Sequence, residues 1–146
     1  MKNIPLGEIM TSPVVTLKLE EPFSHVEEKL RIKGIRHLPV VDQANKVIGL
    51  ITQRDLYRTL SPRKNLEGET FYDPASLDNF LIKYAMTPNP ATLHPEDSVS
   101  KAVSLMAVSR YGCIPIVDEE KRILGIVTEI DILKLLDREL SREKAA

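Results

Sequence analysis

Two side chains suited to holding a small polar ligand stand close together in Thr52-Gln53-Arg54-Asp55, directly after the apolar run Gly49-Leu50-Ile51. The arrangement returns as Thr128-Glu129-Ile130-Asp131 after Gly125-Ile126-Val127. A threonine followed at this spacing by a carboxylate is close to a capping box: the hydroxyl meets an amide of a new helix and the carboxylate reaches back. The same corner also suits a nucleotide. Free amides and the positive end of a helix dipole attract phosphate, and a neighbouring aspartate can accept both hydroxyls of a ribose. A glycine inside the preceding strand lets backbone or a flat ring approach closely. Spacing alone does not separate the two readings.

Strands and helices must position these corners, and the chain builds them twice. Residues 10–60 align with 86–136 without a gap. Met10-Thr11 matches Met86-Thr87, Thr16-Leu17 matches Thr92-Leu93, and Pro39-Val40-Val41-Asp42 matches Pro115-Ile116-Val117-Asp118. A unit of about 50 residues is near the lower limit for folding alone, so the two are expected to share one core.

Each repeat opens with a short extended segment, Val14–Leu17 or Ala91–Leu93, set up by Pro13 or Pro90. A helix follows. In the first repeat Pro22 suits a first turn, Glu20 and Glu21 suit the positive helix start, and Phe23, Val26 and Leu30 share one face up to Gly34. In the second, Asp97 or Ser98 caps a helix whose stripe is Val99, Ala102, Val103 and Met106, ending at Gly112. Two apolar runs, Leu38–Val41 and Val47–Ile51, flank the polar Asp42–Lys46 and read as a hairpin covered on both faces. The closing helix uses Leu56, Tyr57 and Leu60 in one repeat, and Ile132, Leu133, Leu136 and Leu140 in the other, fraying among the charges of 141–146. The boundaries this predicts are 1–60, a polar connection over 61–78, and 79–146. The connection is placed at the surface, with Pro62, Gly68 and Pro74 as breakers and Ser76 capping a short helix through Leu77, Phe80, Leu81 and Tyr84.

Composition narrows the function classes. The 146 residues are 42% hydrophobic and 28% charged with a net charge of −1, which gives a nucleic acid or an anionic membrane no global electrostatic attraction. No apolar run approaches the ~20 residues that span a bilayer. Met1-Lys2-Asn3-Ile4-Pro5 has no signal-peptide character, and the single cysteine, Cys113, fits a reducing compartment, so a cytoplasmic location is expected. Three histidines and one cysteine show no metal-ligand spacing, and no metal is expected. His25 is expected to face solvent, His94 to sit in a loop, and Cys113 to be a small core residue. With no nucleophile elbow, Walker loop or dinucleotide fingerprint, no enzymatic activity is predicted.

The tandem pattern, [LI]-P-[VI]-V-D followed by G-[LI]-[IV]-T-x-x-D in both copies, closely resembles the paired cystathionine β-synthase (CBS) domain family over nearly all of residues 8–140 outside the connection. The resemblance implies an α/β (α+β) fold: two β-α-β-β-α units with small three-stranded sheets, related by a pseudo-two-fold axis, with two clefts for adenosine derivatives. It implies a regulatory ligand (AMP, ADP, ATP or S-adenosylmethionine), no required cofactor, and a homodimer that signals to a protein partner or to itself. By resemblance, Thr52 and Asp55 would act with Thr87 and Thr92, and Thr128 and Asp131 with Thr11 and Thr16.

The two sites are not equivalent. Arg36, His37 and Arg54 surround the first corner, where the second has Gly112, Cys113 and Ile130. An arginine contact to phosphate is charge-assisted. The first corner is therefore expected to hold phosphate better, and the second to take a less charged adenosine compound or to be weak. The alternative for Arg54 is a solvated first-turn residue. For the whole chain, the alternative is a structural or interaction module without ligand; the intact Thr and Asp in both repeats argue against it. A small enzyme would need a base–nucleophile pair that the chain does not display.

Overall fold

The computed structural model describes residues 3–59, 63–64, 66–71 and 77–145. They form two compact units. One is contiguous, Val15–Asn89; the other is split, Met1–Val14 with Pro90–Ala146.

The contiguous unit runs β1 (Leu17–Lys18), α1 (Ser24–Lys33), β2 (His37–Val41), β3 (Val47–Thr52), α2 (Gln53–Thr59), β4 (Arg63–Lys64), β5 (Thr70–Phe71), α3 (Ile82–Ala85) and β6 (Thr87–Pro88). The β2–β3 hairpin is turned by Asp42, whose carboxylate accepts from the amides of Ala44 and Lys46, both at 2.9 Å, while Asn45 takes φ 66°. Short side chains that bond their own backbone and tolerate the left-handed region make such turns cheap. β1 pairs parallel with β2, β2 antiparallel with β3, and β3 antiparallel with β6. One face of this sheet buries Leu17, Leu38, Val40 and Ile51 against Phe23, Val26 and Leu30 of the first helical segment, with Leu56, Leu77 and Ile82 completing the core. Gly34, at φ 62°, ends α1 as its position predicts.

The split unit repeats the plan with α4 (Val99–Ser109), β7 (Cys113–Val117), β8 (Ile123–Thr128) and α5 (Glu129–Ala145). Leu93 bridges parallel to Ile116, as Leu17 does to Val40, and Thr11 bridges antiparallel to Ile126, as Thr87 does to Leu50. The start of each repeat therefore adds to the hairpin of the other repeat. A 3₁₀ turn at Leu6–Glu8 buries Leu6 completely in the split unit, where the Leu6 amide donates to the Asp97 carbonyl at 2.8 Å. The boundaries at 60 and 79 follow the duplication in sequence; the packed units divide instead after Val14 and Asn89.

Several local expectations are corrected. α4 ends on Arg110, which takes φ 60° itself, and not on Gly112. Of its expected stripe, Val99 and Ala102 are buried and Met106 packs against the same core, whereas Val103 is 40% exposed. In α5 the buried residue is Leu135, whereas Leu133, Leu136 and Leu140 are exposed, and the helix continues to Ala145. Tyr57 of α2 faces outward. His25 keeps a side chain 41% exposed, as expected, while its Nδ1 lies 2.8 Å from the Glu21 carboxylate. Ser98 is the cap expected for α4, accepting from the Lys101 amide. The cap expected at Ser76 and the helical position of Leu60 lie outside the described residues, as do Pro62 and Pro74. No helix among the described residues is long and apolar enough to cross a membrane.

Candidate functional site

At the end of β3 the chain turns directly into α2, and the turn is held by the pair that the spacing singled out. One oxygen of Asp55 accepts from the Thr52 amide at 2.8 Å and from its hydroxyl at 3.1 Å. The Asp55 amide donates to Thr52 Oγ1 at 3.2 Å, which completes a reciprocal capping box. Asp55 is only 9% exposed and is the buried charged residue of the described chain. Burying a carboxylate is costly unless it is hydrogen-bonded, and here two donors satisfy one oxygen. Its other oxygen, Oδ1, lies 3.8 Å from the guanidinium of Arg58, an exposed side chain.

The corner after β8 repeats the two bonds to the carboxylate. Asp131 accepts from the Thr128 amide at 2.9 Å and its hydroxyl at 3.3 Å. Its remaining oxygen differs in partner, because Thr11 Oγ1 donates to it at 3.2 Å. Thr11 is held there by backbone bonds in both directions with Ile126, at 2.8 and 3.0 Å, and Ser12 donates to the Leu124 carbonyl at 2.9 Å. Thr87 occupies the same register position opposite Leu50, and among the described contacts its hydroxyl does not reach Asp55.

The strand glycines have a role that sequence reasoning missed. A Cβ on Gly49 would lie 2.3 Å from Sδ of Met86, and one on Gly125 would lie 2.4 Å from Sδ of Met10. The close approach expected of a flat ring is made by a methionine of the chain itself. The signal was present, since Met10 and Met86 stand at matching positions in both repeats, but nothing local pairs them with a glycine so distant in sequence.

The residues that distinguish the corners fall where the alignment put them. His37 is opposite Thr52 in the β2–β3 register, and the Arg36 carbonyl accepts the Gln53 amide at 2.8 Å. Arg36 and Arg54 are both exposed beside this turn. In the split unit Cys113 is opposite Thr128 and the Gly112 carbonyl accepts the Glu129 amide at 3.2 Å. Burial, with the Glu129 carboxylate adding to it, pushes the Cys113 thiol up to about 12, so it is not a nucleophile at neutral pH. An open cleft of about 420 Å³ runs past Asp131, lined also by Glu8, Ile9, Lys134, Asp137 and Arg138. A wider hollow of about 550 Å³ lies along α4 alone and touches neither corner. Thr16 belongs to the unit of Thr52, and Thr92 to that of Thr128, so the partnerships expected of these two residues join different units. Among the described residues no group of His, Cys, Asp and Glu is placed to hold a metal ion.

Comparison with known proteins decides the family. The CBS domain model matches twice, over residues 6–62 and 82–138. The chain belongs to the CBS domain family. A CBS domain-containing protein of Dictyostelium discoideum is 31% identical over 135 residues, covering 92% of each chain. Homoserine O-acetyltransferase of Methanohalobium evestigatum is 28% identical over 90% of this chain, which spans 24% of that enzyme's length. Among solved structures, the CBS domain pair of protein MJ0100, in complex with 5′-methylthioadenosine and S-adenosyl-L-methionine, matches with a TM-score of 0.76 and 25% identity, covering 92% of this chain and 97% of that one. Protein MJ1225 of Methanocaldococcus jannaschii matches with a TM-score of 0.77 and 26% identity over 92% of this chain and 48% of its own. This CBS pair thus resembles both free-standing pairs and segments of longer enzymes.

Proposed function

We propose that this CBS pair is a regulatory module that binds adenosine compounds at its two Thr–Asp corners and passes their occupancy to a protein partner or to a second copy of itself. The observation that carries the reading is the corner kept intact in both repeats of a CBS pair, one of whose structural relatives holds two adenosine compounds. AMP, ADP, ATP and S-adenosylmethionine are the ligands to test. The chain performs no catalysis of its own in this reading; the enzymes among its relatives are several times its length.

The Asp55 corner is the phosphate site. Thr52 and Asp55 hold phosphate and ribose, Thr87 lies on the neighbouring strand, and Arg36, His37 and Arg54 supply the donors and charge that phosphate needs. Thr128, Asp131 and Thr11 form a corner that lacks those two arginines and that histidine. The further contacts expected of Thr92 and Thr16 rest on the family resemblance. Regulation follows from linkage: a ligand that binds one arrangement of the protein better shifts the population toward it by that difference in affinity.

A thermal-shift screen tests the reading first. Ligand at ~100 times its dissociation constant stabilises by about 2.7 kcal/mol. A shift with an adenosine compound supports the sensor. The second reading is an interaction module without ligand, favoured by the fact that Thr52 and Asp55 satisfy one another as a helix cap. Absence of any shift would favour it. Titrating AMP and ATP into Asp55→Ala and Asp131→Ala then separates the corners, with the greater loss expected from Asp55→Ala.

A further inference from the structure

The two corners share a carboxylate but not the same supply of protons, and this separates what each can recognise. A hydroxyl has one proton to give. Thr128 gives its proton to Asp131 Oδ2, as Thr52 does to Asp55 Oδ2, and the difference is that Thr11 also gives its own to Asp131 Oδ1. Toward a third group, all three side chains then act as acceptors. The strand holds the backbone of Thr11 beside Asp131: its amide and carbonyl are both tied to Ile126, and Met10 is seated against Gly125 just before it.

The charges nearby point the same way. Glu8, Asp131 and Asp137 share the cleft with Lys134 and Arg138, and Glu129 lies close enough to Cys113 to act on its thiol. Where the contiguous unit has Arg54, this corner has Ile130, 55% exposed and unable to donate. A phosphate placed here would meet side-chain acceptors and a local excess of carboxylates. A ribose meets acceptors matched to its own hydroxyl donors. Repulsion of a wrong ligand is as effective a source of specificity as attraction of the right one.

We propose that the Thr128–Asp131 corner takes an adenosine compound whose 5′ group bears no negative charge, with the orientation of Thr11 and the apolar Ile130 as the determinants of that choice. This rests on the reading that the corners bind adenosine compounds. At the other corner Thr87 has no such bond to Asp55, so its proton is available to a phosphate oxygen beside Arg36 and Arg54.

The test uses the full chain with Asp55→Ala, which leaves the split-unit corner to report, and titrates adenosine and AMP by calorimetry. Adenosine is expected to bind about tenfold tighter than AMP, whose phosphate would lose hydration beside carboxylates and gain no charge-assisted donor from position 130. Adding Ile130→Arg should bring AMP level with adenosine or ahead of it, and Thr11→Val should narrow the original preference. Should Asp55→Ala unfold, the exposed pair Arg36→Glu and Arg54→Glu disables the phosphate corner instead. Equal or tighter binding of AMP, or a preference that Ile130→Arg leaves unchanged, overturns the proposal. If the wild type binds AMP while the variant binds neither probe, this assignment alone falls. If the wild type binds no adenosine compound, the sensor reading falls with it.

Discussion

Met86 and Gly49 compete for one volume: the methionine thioether lies against the bare Cα of the glycine, where an added Cβ would come within 2.3 Å of Sδ. Met10 and Gly125 do the same in the other unit, at 2.4 Å. Each methionine directly precedes the threonine that pairs with β3 or β8, so the glycine fixes how closely that outer strand can lie. Neither glycine has a positive φ, so the constraint is steric.

Gly49→Ala is therefore expected to destabilise the protein by about 1–3 kcal/mol, the usual cost of overpacking. Met86→Ala in the same chain vacates the contested space and should recover part of the loss. Urea denaturation of the two single variants and the double variant measures the coupling. Strictly additive losses would mean that the two side chains do not meet.

Leu6 is fully buried in the split unit although it stands far in sequence from the core it joins. Leu6→Ala should cost about 2–5 kcal/mol, as for other leucines cut back in a core. A frayed N-terminus would give almost no change in the unfolding midpoint.

Arg110 and Lys121 adopt φ 60° and 69° without being glycine or asparagine. A side chain in the left-handed region costs roughly 1–2 kcal/mol. Arg110→Gly and Lys121→Gly should each raise stability by a fraction of that, since glycine also loses more freedom on folding. Thermal unfolding of each variant checks the sign.

Two carboxylates at matching turns make stability sensitive to acid. Burial opposes ionisation of Glu21, but hydrogen bonds from His25, Lys29 and the Lys18 amide outweigh it and hold its pKa below 4.5. The His94 amide does the same for Asp97, keeping it below 3.8. With folded pKa values below unfolded ones, the unfolded chain binds more protons in acid. The stabilisation is complete above about pH 4.5 and is lost as pH falls through the folded values. Unfolding free energies measured from pH 7 to pH 3 should show this decline, and Glu21→Gln with Asp97→Asn should flatten it. An unchanged slope would remove both groups as its source.

Much of this was legible in sequence for a physical reason: hairpins, caps and the Thr–Asp corner are set by residues a few positions apart. Asp42, Gly34, Ser98 and the Thr52–Asp55 pair all act within one turn of chain. What escaped depends on distant partners. The pairing of Thr11 with Ile126 and the seat of Met10 on Gly125 join opposite ends of the chain. The apolar period of α5 was visible, but several leucines on it are exposed while Leu135 is buried with Ile132 packed beside it, because the sheet beneath selects the face. Arg110 capped α4 in place of Gly112 because a left-handed residue closes the helix wherever the last turn ends, even when glycine stands two positions later.

The placement of residues 3–13 also sets an order of assembly during synthesis. Val15–Asn89 is a continuous stretch and can close as soon as its last strand leaves the ribosome. Residues 3–13 are made before that stretch, yet Leu6 and Met10 find their partners only once β8 has been synthesised. Domains generally fold as units from the N-terminus during synthesis. Here a segment made before the contiguous unit finds its place after it, and the long closure it requires falls on the slower, non-local side of folding.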